Sequence, residues 1–227
     1  MIFNLTQPVL DSAPKFTYTG TYEYIDDGEG NWRIKFLTSG TFTPLKDMTI
    51  DAFLVGGGGG GVRQTSRNYY CGGAGGYTTT RLSIVLSANT EYPIEVGAGG
   101  PGLSTTSNTD SATSGGTSSG FGASASGGNG AQGASGGSGG SGGGGRLSGS
   151  IGGSDGSDGS GTYPGTGQGT TTREFGESTG SLYSTGGDAV TDSNNTPADN
   201  NTGDGGHALA AGGSGIVVIR KHKEAAA

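Results

Sequence analysis

Apolar substance is what this sequence has least of. Residues of the AVILMFWYC set make up 29% of 227 residues, against 53 glycines, so a conventional hydrophobic core cannot offset the conformational entropy of the whole chain. Either much of it is disordered or its order rests on something else. There is a single cysteine, Cys71, which excludes an internal disulfide and a thiolate metal cluster. Proline totals 7 and no strict Gly-X-Y period is present, which excludes collagen. Cations are scarce: 12 Lys+Arg stand against 19 Asp+Glu, a formal net charge of -7, and that balance argues against nucleic acid or an anionic membrane surface as partner. Apolar runs are strand-sized, and Met1–Thr6 shows neither a basic n-region nor an apolar h-region. Neither a membrane span nor a secretion signal is expected.

Alternating bulky and polar residues are present in short runs. Phe16–Tyr24 and Trp32–Thr43 alternate on either side of an Asp26–Asn31 turn and predict a hairpin. Met48–Val55 predicts a third strand that runs straight into glycine, and Tyr77–Leu86 and Glu91–Val96 predict a further pair across Ser87–Thr90. Gly215–Arg220 closes the series, and its unbroken Ile216-Val217-Val218-Ile219 predicts a central, buried strand. Helix is expected, if anywhere, only in the Lys221–Ala227 tail.

Between Gly97 and Gly213 the chain is of low complexity, with the longest Gly/Ser tract at Gly127–Gly145. A flexible linker is one reading. Against it, glycine tracts begin and end directly at strands, as at Val55-Gly56, Gly76-Tyr77, Val96-Gly97 and Gly215-Ile216. The alternative is a bundle of polyglycine type II helices, with three residues per turn and no internal hydrogen bonds, whose free N–H and C=O groups bond laterally because glycine lets backbones approach closely. The expected fold is therefore all-β: β-sandwich-like strands combined with a packed polyglycine II bundle and essentially no α-helix. The expected organisation is an N-terminal strand region at 1–55, a glycine-rich body with a closing strand at 56–220, and a tail at 221–227.

Signals for chemistry are thin. His207 and His222 are the only histidines, and neither has metal-ligand spacing to a His, Cys or carboxylate cluster, so a solvated loop or tail is the expected home of both. Val55–Val62 lacks the Lys-Ser/Thr and the following helix of a phosphate loop. No Gly-x-Ser-x-Gly elbow leads into a helix, so nucleophilic catalysis has no support. Gly152–Asp158 holds one partial copy of a calcium-roll repeat, which is weak. No enzyme activity, cofactor or metal is expected.

The glycine tracts are interrupted by loops of another kind. Arg63, Gln64, Arg67, Asn68, Tyr69 and Tyr70 bring long polar and aromatic side chains, and Leu103–Thr113 and Asp192–Asn201, with Asn194 and Asn195, are further insertions. Tyr and Arg suit recognition surfaces because they cover area with few or preorganised degrees of freedom. These residues are the candidate partner contacts; the competing reading is that they only solubilise connections.

Several strings together resemble glycine-rich proteins of bacteriophages and prophages: Asp26-Asp27-Gly28, Asn31–Gly40, Phe53-Leu54-Val55 with its glycine run, Gly75–Thr80, Val96–Gly100, Gly167–Glu177 and Gly212–Arg220. The resemblance spans nearly the whole chain, and departs from the pattern where Gly186-Gly187 passes into an Asn/Asp/Thr stretch. It implies a tail-associated virion protein and, by analogy with tail-fibre adhesins, loops on a polyglycine II sandwich that bind a host cell-surface glycan or protein. A tail-fibre protein of the same particle would be the second partner. Arg173 and Glu174 are expected to form a structural ion pair or loop lock. Alternatives are a purely structural virion component and an ice-binding protein.

Overall fold

A computed structural model describes residues 13–146, 172–189 and 196–223. Within them the chain is all-β. Its largest sheet has five antiparallel strands in the order β2 (Tyr22–Gly28), β3 (Asn31–Phe36), β13 (Ile216–Lys221), β5 (Met48–Val55) and β8 (Thr78–Leu86). Ile216 to Ile219 on the central strand are all buried, as their unbroken apolar run requires. A second sheet, β1 (Phe16–Tyr18), β4 (Gly40–Pro44) and β9 (Tyr92–Ile94), continues through a Glu95–Ser119 bridge to the hairpin β11 (Ser118–Gly120)–β12 (Ala123–Ala125). The two layers enclose Trp32, Ile34, Phe36, Phe42, Ile50, Leu54, Leu86, Ile94, Phe121, Val217 and Ile219. At about 1.5–3 kcal/mol for each large apolar side chain fully buried, this compact core supports the sandwich.

Two expected strands break in the middle. Phe16–Tyr24 and Trp32–Thr43 each divide and pass from one sheet to the other, the first after β1 and the second after β3. Gly20 and Gly40 sit at these corners: a Cβ on Gly20 would lie 2.7 Å from Ser39 O, and one on Gly40 would lie 2.7 Å from Gly20 N. The two corners nest because neither carries a side chain. The pair expected across Ser87–Thr90 is likewise divided, since β8 joins β5 and β9 joins β4. That crossover is held by Ala88 N–H donating to Asp47 Oδ1 (2.7 Å) and Asn89 N–H to Pro44 O (2.7 Å). Of the C-terminal tail, Lys221 ends β13 and 222–223 are not helical; 224–227 lie outside the described residues.

From β5 the chain enters the glycine body. Along 56–61 the N–H acceptors rotate with period three: Gly56 and Gly59 donate to Tyr77 and Ala74, Gly57 and Gly60 to Gly116 and Thr113, and Gly58 and Gly61 to Gly213 and Ala210. In each pair the partner number falls as the tract's rises, so these three neighbours run antiparallel. Its carbonyls are bonded by parallel neighbours: Gly128 and Ala131 donate to Gly57 and Gly60, Gly100 and Leu103 to Gly58 and Gly61, and Gly206 to Gly59. The tract is thus enclosed by 72–77, 97–103, 112–116, 126–131, 203–207 and 210–215, with an N–H or C=O committed to each. Tract 72–77 repeats the arrangement, donating to 141–144, 203–206 and 126–129. No glycine of 56–61 or 72–76 takes a positive φ. The three-residue repeat means that each tract bonds laterally to several neighbours and not along itself. It also explains how so little apolar surface suffices, because the buried backbone groups are satisfied in every direction. Where sheet meets bundle, the buried Ser118 hydroxyl donates to Val55 O (2.6 Å) and accepts from Gly97 N–H (3.0 Å).

Candidate functional site

The directions of the tracts decide where the loops go. Tracts 56–61, 97–103, 126–131 and 203–207 run away from the sandwich and their antiparallel neighbours run back, so the turns that join them gather at the far end. There β6 (Val62–Gln64) pairs antiparallel with β7 (Tyr69–Cys71) and parallel with β10 (Leu103–Thr105). Val62, Cys71, Ala112 and Ala131, with Leu103 against them, form a small apolar plug beneath the loops.

The β6–β7 register sets the side chains. Arg63 lies opposite Tyr70, which places its guanidinium 5.5 Å from the ring centroid, within cation–π range. Tyr70 Oη donates to Asn68 Oδ1 (2.8 Å), and Asn68 turns the chain at φ 54, a conformation Asn tolerates. Thr65 N–H donates to Thr105 O (2.8 Å) and Ser66 Oγ to Thr106 O (2.8 Å), so the 65–68 turn is braced against the neighbouring loop. That loop is itself tied by Thr105 Oγ1 donating to Asp110 Oδ2 (2.6 Å). Arg63 Nε and Gln64 Oε1 are buried without a hydrogen-bond partner.

Of the candidate contacts, Arg67 and Asn68 are exposed, while Arg63, Tyr69 and Tyr70 are half-buried. Gln64 is placed otherwise: it is 1% exposed and its amide bonds Asn108. Strand alternation turns it inward with Val62, so it braces two loops and offers no surface to a partner. Asn194 and Asn195 lie outside the described residues. Burial pushes the Cys71 thiol up to about 11, and its Sγ lies 3.7 Å from Gly133 O; it is a plug residue with no nucleophilic character at neutral pH.

A second constellation lies on the outer face of the large sheet, with partners that were not legible from sequence. Residues 172–183 lie across it, and Phe175 and Tyr183 cover Phe53, Val55, Ile216 and Val218. Glu174, expected to pair with Arg173, instead pairs with Arg33 (2.6 Å) and Lys35 (3.8 Å) and accepts from Tyr183 Oη (3.1 Å). Arg173 donates to Gly180 O (3.3 Å). Glu177 pairs with Arg220 (2.5 Å) and Lys223 (3.3 Å), and the Arg220 guanidinium sits 4.2 Å from the Phe175 ring centroid. The cleft of about 420 Å³ between this segment and the sheet is therefore lined by charges that neutralise one another. The segment is a lock, as expected, but with partners supplied by distant strands.

Among the described residues no group of three or more His, Cys, Asp or Glu is arranged to hold a metal ion, and no helix is long and apolar enough to cross a membrane. The described fold is an all-β scaffold in which glycine tracts form an interior and carry loops at one end. The family model for a glycine-rich domain matches residues 37–222, and the chain belongs to that family. No curated protein matches it.

Proposed function

We propose that the protein is a tail-associated receptor-binding protein (adhesin) of a bacteriophage or prophage, in which the loop end selects a host cell-surface glycan or protein. A tail-fibre protein of the same particle is its second partner, and the virion its place of action. The observation that carries this reading is the braced loop end: Arg67 and Asn68 are exposed at a turn that the Arg63–Tyr70 stack and the bonds from Thr65 and Ser66 hold in place. A rigid scaffold that fixes the ends of a loop while leaving its tip variable is the arrangement recognition proteins use. The hydroxyls and guanidinium at the tip suit a hydroxylated or anionic surface group. At this end of the molecule binding, with no bond made or broken, is the activity.

The test is adsorption of fluorescently labelled protein to panels of bacterial cells. Selective staining is expected, and replacement of Arg67, Tyr69 and Tyr70 together by alanine is expected to weaken it at least about tenfold, equivalent to roughly 1.4 kcal/mol. The melting temperature should stay within a few degrees, because the interior tracts do not depend on these side chains. Uniform absence of staining would favour a purely structural virion component.

A further inference from the structure

We propose that Ser83, His222 and Asp51 form a nucleophilic serine site, one that accepts acyl groups from activated esters. The three residues are far apart in sequence and are brought together by sheet register. β13, β5 and β8 are consecutive in the large sheet. Arg220 pairs with Asp51 and Lys221 with Ile50, so His222, whose N–H donates to Thr49 O (3.1 Å), is carried past the end of β13 on the face that Asp51 shares. On the other side, Ile50 pairs with Ile84 and Ala52 with Arg81. Asp51 therefore opposes both Leu82 and Ser83, a β-bulge of the kind that re-aims a side chain next to active sites. Ser83 takes φ 55 there, a strained conformation for a non-glycine residue and one that concentrates at functional positions.

The result is a connected set. His222 Nδ1 lies 2.6 Å from Asp51 Oδ1, and His222 Nε2 lies 2.9 Å from Ser83 Oγ. The carboxylate is 1% exposed and can only accept, so Nδ1 carries the proton and the Nε2 lone pair faces the serine hydroxyl. This is the tautomer a general base needs. Asp51 is held as the anion: burial works to raise its pKa, but hydrogen bonds from His222, Ser83 N–H and Arg220 outweigh it and leave the pKa lowered. His222 is partly open, beside a pocket of about 390 Å³ whose lining includes Trp32, Met48, Lys46 and Lys221. Ser83 Oγ is on the exposed strand surface. The expectation that His222 sits in a solvated tail is thus corrected, since both its ring nitrogens are engaged.

The chemistry follows with all atoms accounted for. Ser83 Oγ attacks the ester carbonyl carbon while its proton passes to His222 Nε2. The carbonyl carbon–oxygen bond to the leaving alcohol breaks, and that alcohol departs with the proton. Water, deprotonated by the same nitrogen, then attacks the acyl carbon, the bond from that carbon to Ser83 Oγ breaks, Oγ takes the proton back from Nε2, and the acid leaves. Asp51 is a positioning residue. The Ser83 N–H is spent on Asp51 Oδ1 (3.1 Å) and cannot serve as an oxyanion donor. Good leaving groups are therefore required, and unactivated esters are expected to turn over poorly.

The probe is diisopropyl fluorophosphate, in which Ser83 Oγ displaces fluoride from phosphorus, with intact mass and peptide mapping as readout on the full chain. A single adduct at Ser83 is expected, absent in Ser83→Ala and formed at least about 100-fold more slowly in His222→Gln, with p-nitrophenyl acetate hydrolysis falling in parallel. Ser83→Ala and Ser83→Gly, which suits the positive φ, give two folded-state controls checked by melting. No adduct on the native protein, an adduct on another serine, or labelling that persists unchanged in either variant overturns the proposal. Host-cell adsorption through the loop end is measured separately and is unaffected by these outcomes.

Discussion

A methyl group placed inside the glycine bundle should be far more damaging than one placed on its surface, and Gly58→Ala measures this. A Cβ on Gly58 would lie 1.9 Å from Asp204 O, where ordinary contact begins at 3.4 Å, so the 203–207 tract must retreat by about 3.4 − 1.9 = 1.5 Å. Two bonds hold the 203–207 tract where it is: Gly206 N–H donates to Gly59 O (2.8 Å) and Gly213 N–H donates to Asp204 O (2.8 Å). A separation of that size breaks at least these two bonds. At roughly 1–3 kcal/mol for each buried bond left unmade, the cost is roughly 2–6 kcal/mol. For a chain of this length each kcal/mol lowers the melting temperature by roughly 2–4 °C, which puts the expected fall at roughly 4–24 °C. Gly28→Ala is the control, since its Cβ meets nothing within 4 Å and only the φ of +77° opposes it, at about 1–2 kcal/mol. Urea and thermal unfolding can be followed by the fluorescence of Trp32, the only tryptophan, which is buried in the sandwich core. A shifted Trp32 transition would also show that bundle and sandwich unfold together. If Gly58→Ala unfolds no earlier than Gly28→Ala, the lateral hydrogen-bond account of stability is wrong.

Two further outcomes are expected. Acid should destabilise the fold: the Arg33 hydrogen bond lowers the pKa of Asp27, and bonds from Arg220, with His222 and Ser83 for Asp51 and Lys223 for Glu177, outweigh burial and lower those of Asp51 and Glu177. A depressed folded pKa contributes stability above the ordinary values of 3.8 and 4.5 that is lost as pH falls below them. Asp204, raised mainly by burial, works in the opposite direction, so a urea midpoint that stays level or rises between pH 6 and pH 3 would refute the assignment. Cys71 should resist Ellman's reagent at pH 8 in the folded protein and react fully in denaturant, because burial both shields the thiol and raises its pKa to about 11; prompt reaction of the native protein would show that the apolar plug opens.

Much of the scaffold was legible because its signals are local. Alternation with period two marked the strands from Phe16 to Val55 and the buried character of Ile216–Ile219, and glycine tracts abutting strands marked an ordered interior. Strand breaks were missed at Gly20 and Gly40, where the reason lies in each glycine meeting the other corner across a gap in sequence. Gln64 read as a contact because composition does not tell which side of a short strand faces Val62. The partners of Glu174 were equally hidden: Arg33 and Lys35 lie about 140 positions upstream and reach it only because β3 and β13 are neighbours.

By itself, then, the sequence determined the class of fold and the material of its interior, since both depend on what each residue can do within its own few neighbours: alternate, bend, or do without a side chain. Which tract lies beside which, and which residues share a face, was decided only in the tertiary structure. Every glycine tract presents the same N–H and C=O groups, so nothing within 56–61 names 97–103 or 210–215 as its neighbours. The choice is made by the strands that feed the tracts and by the turns that return them. The same holds for Ser83, Asp51 and His222, which acquire a common face through one bulge and the register of three strands.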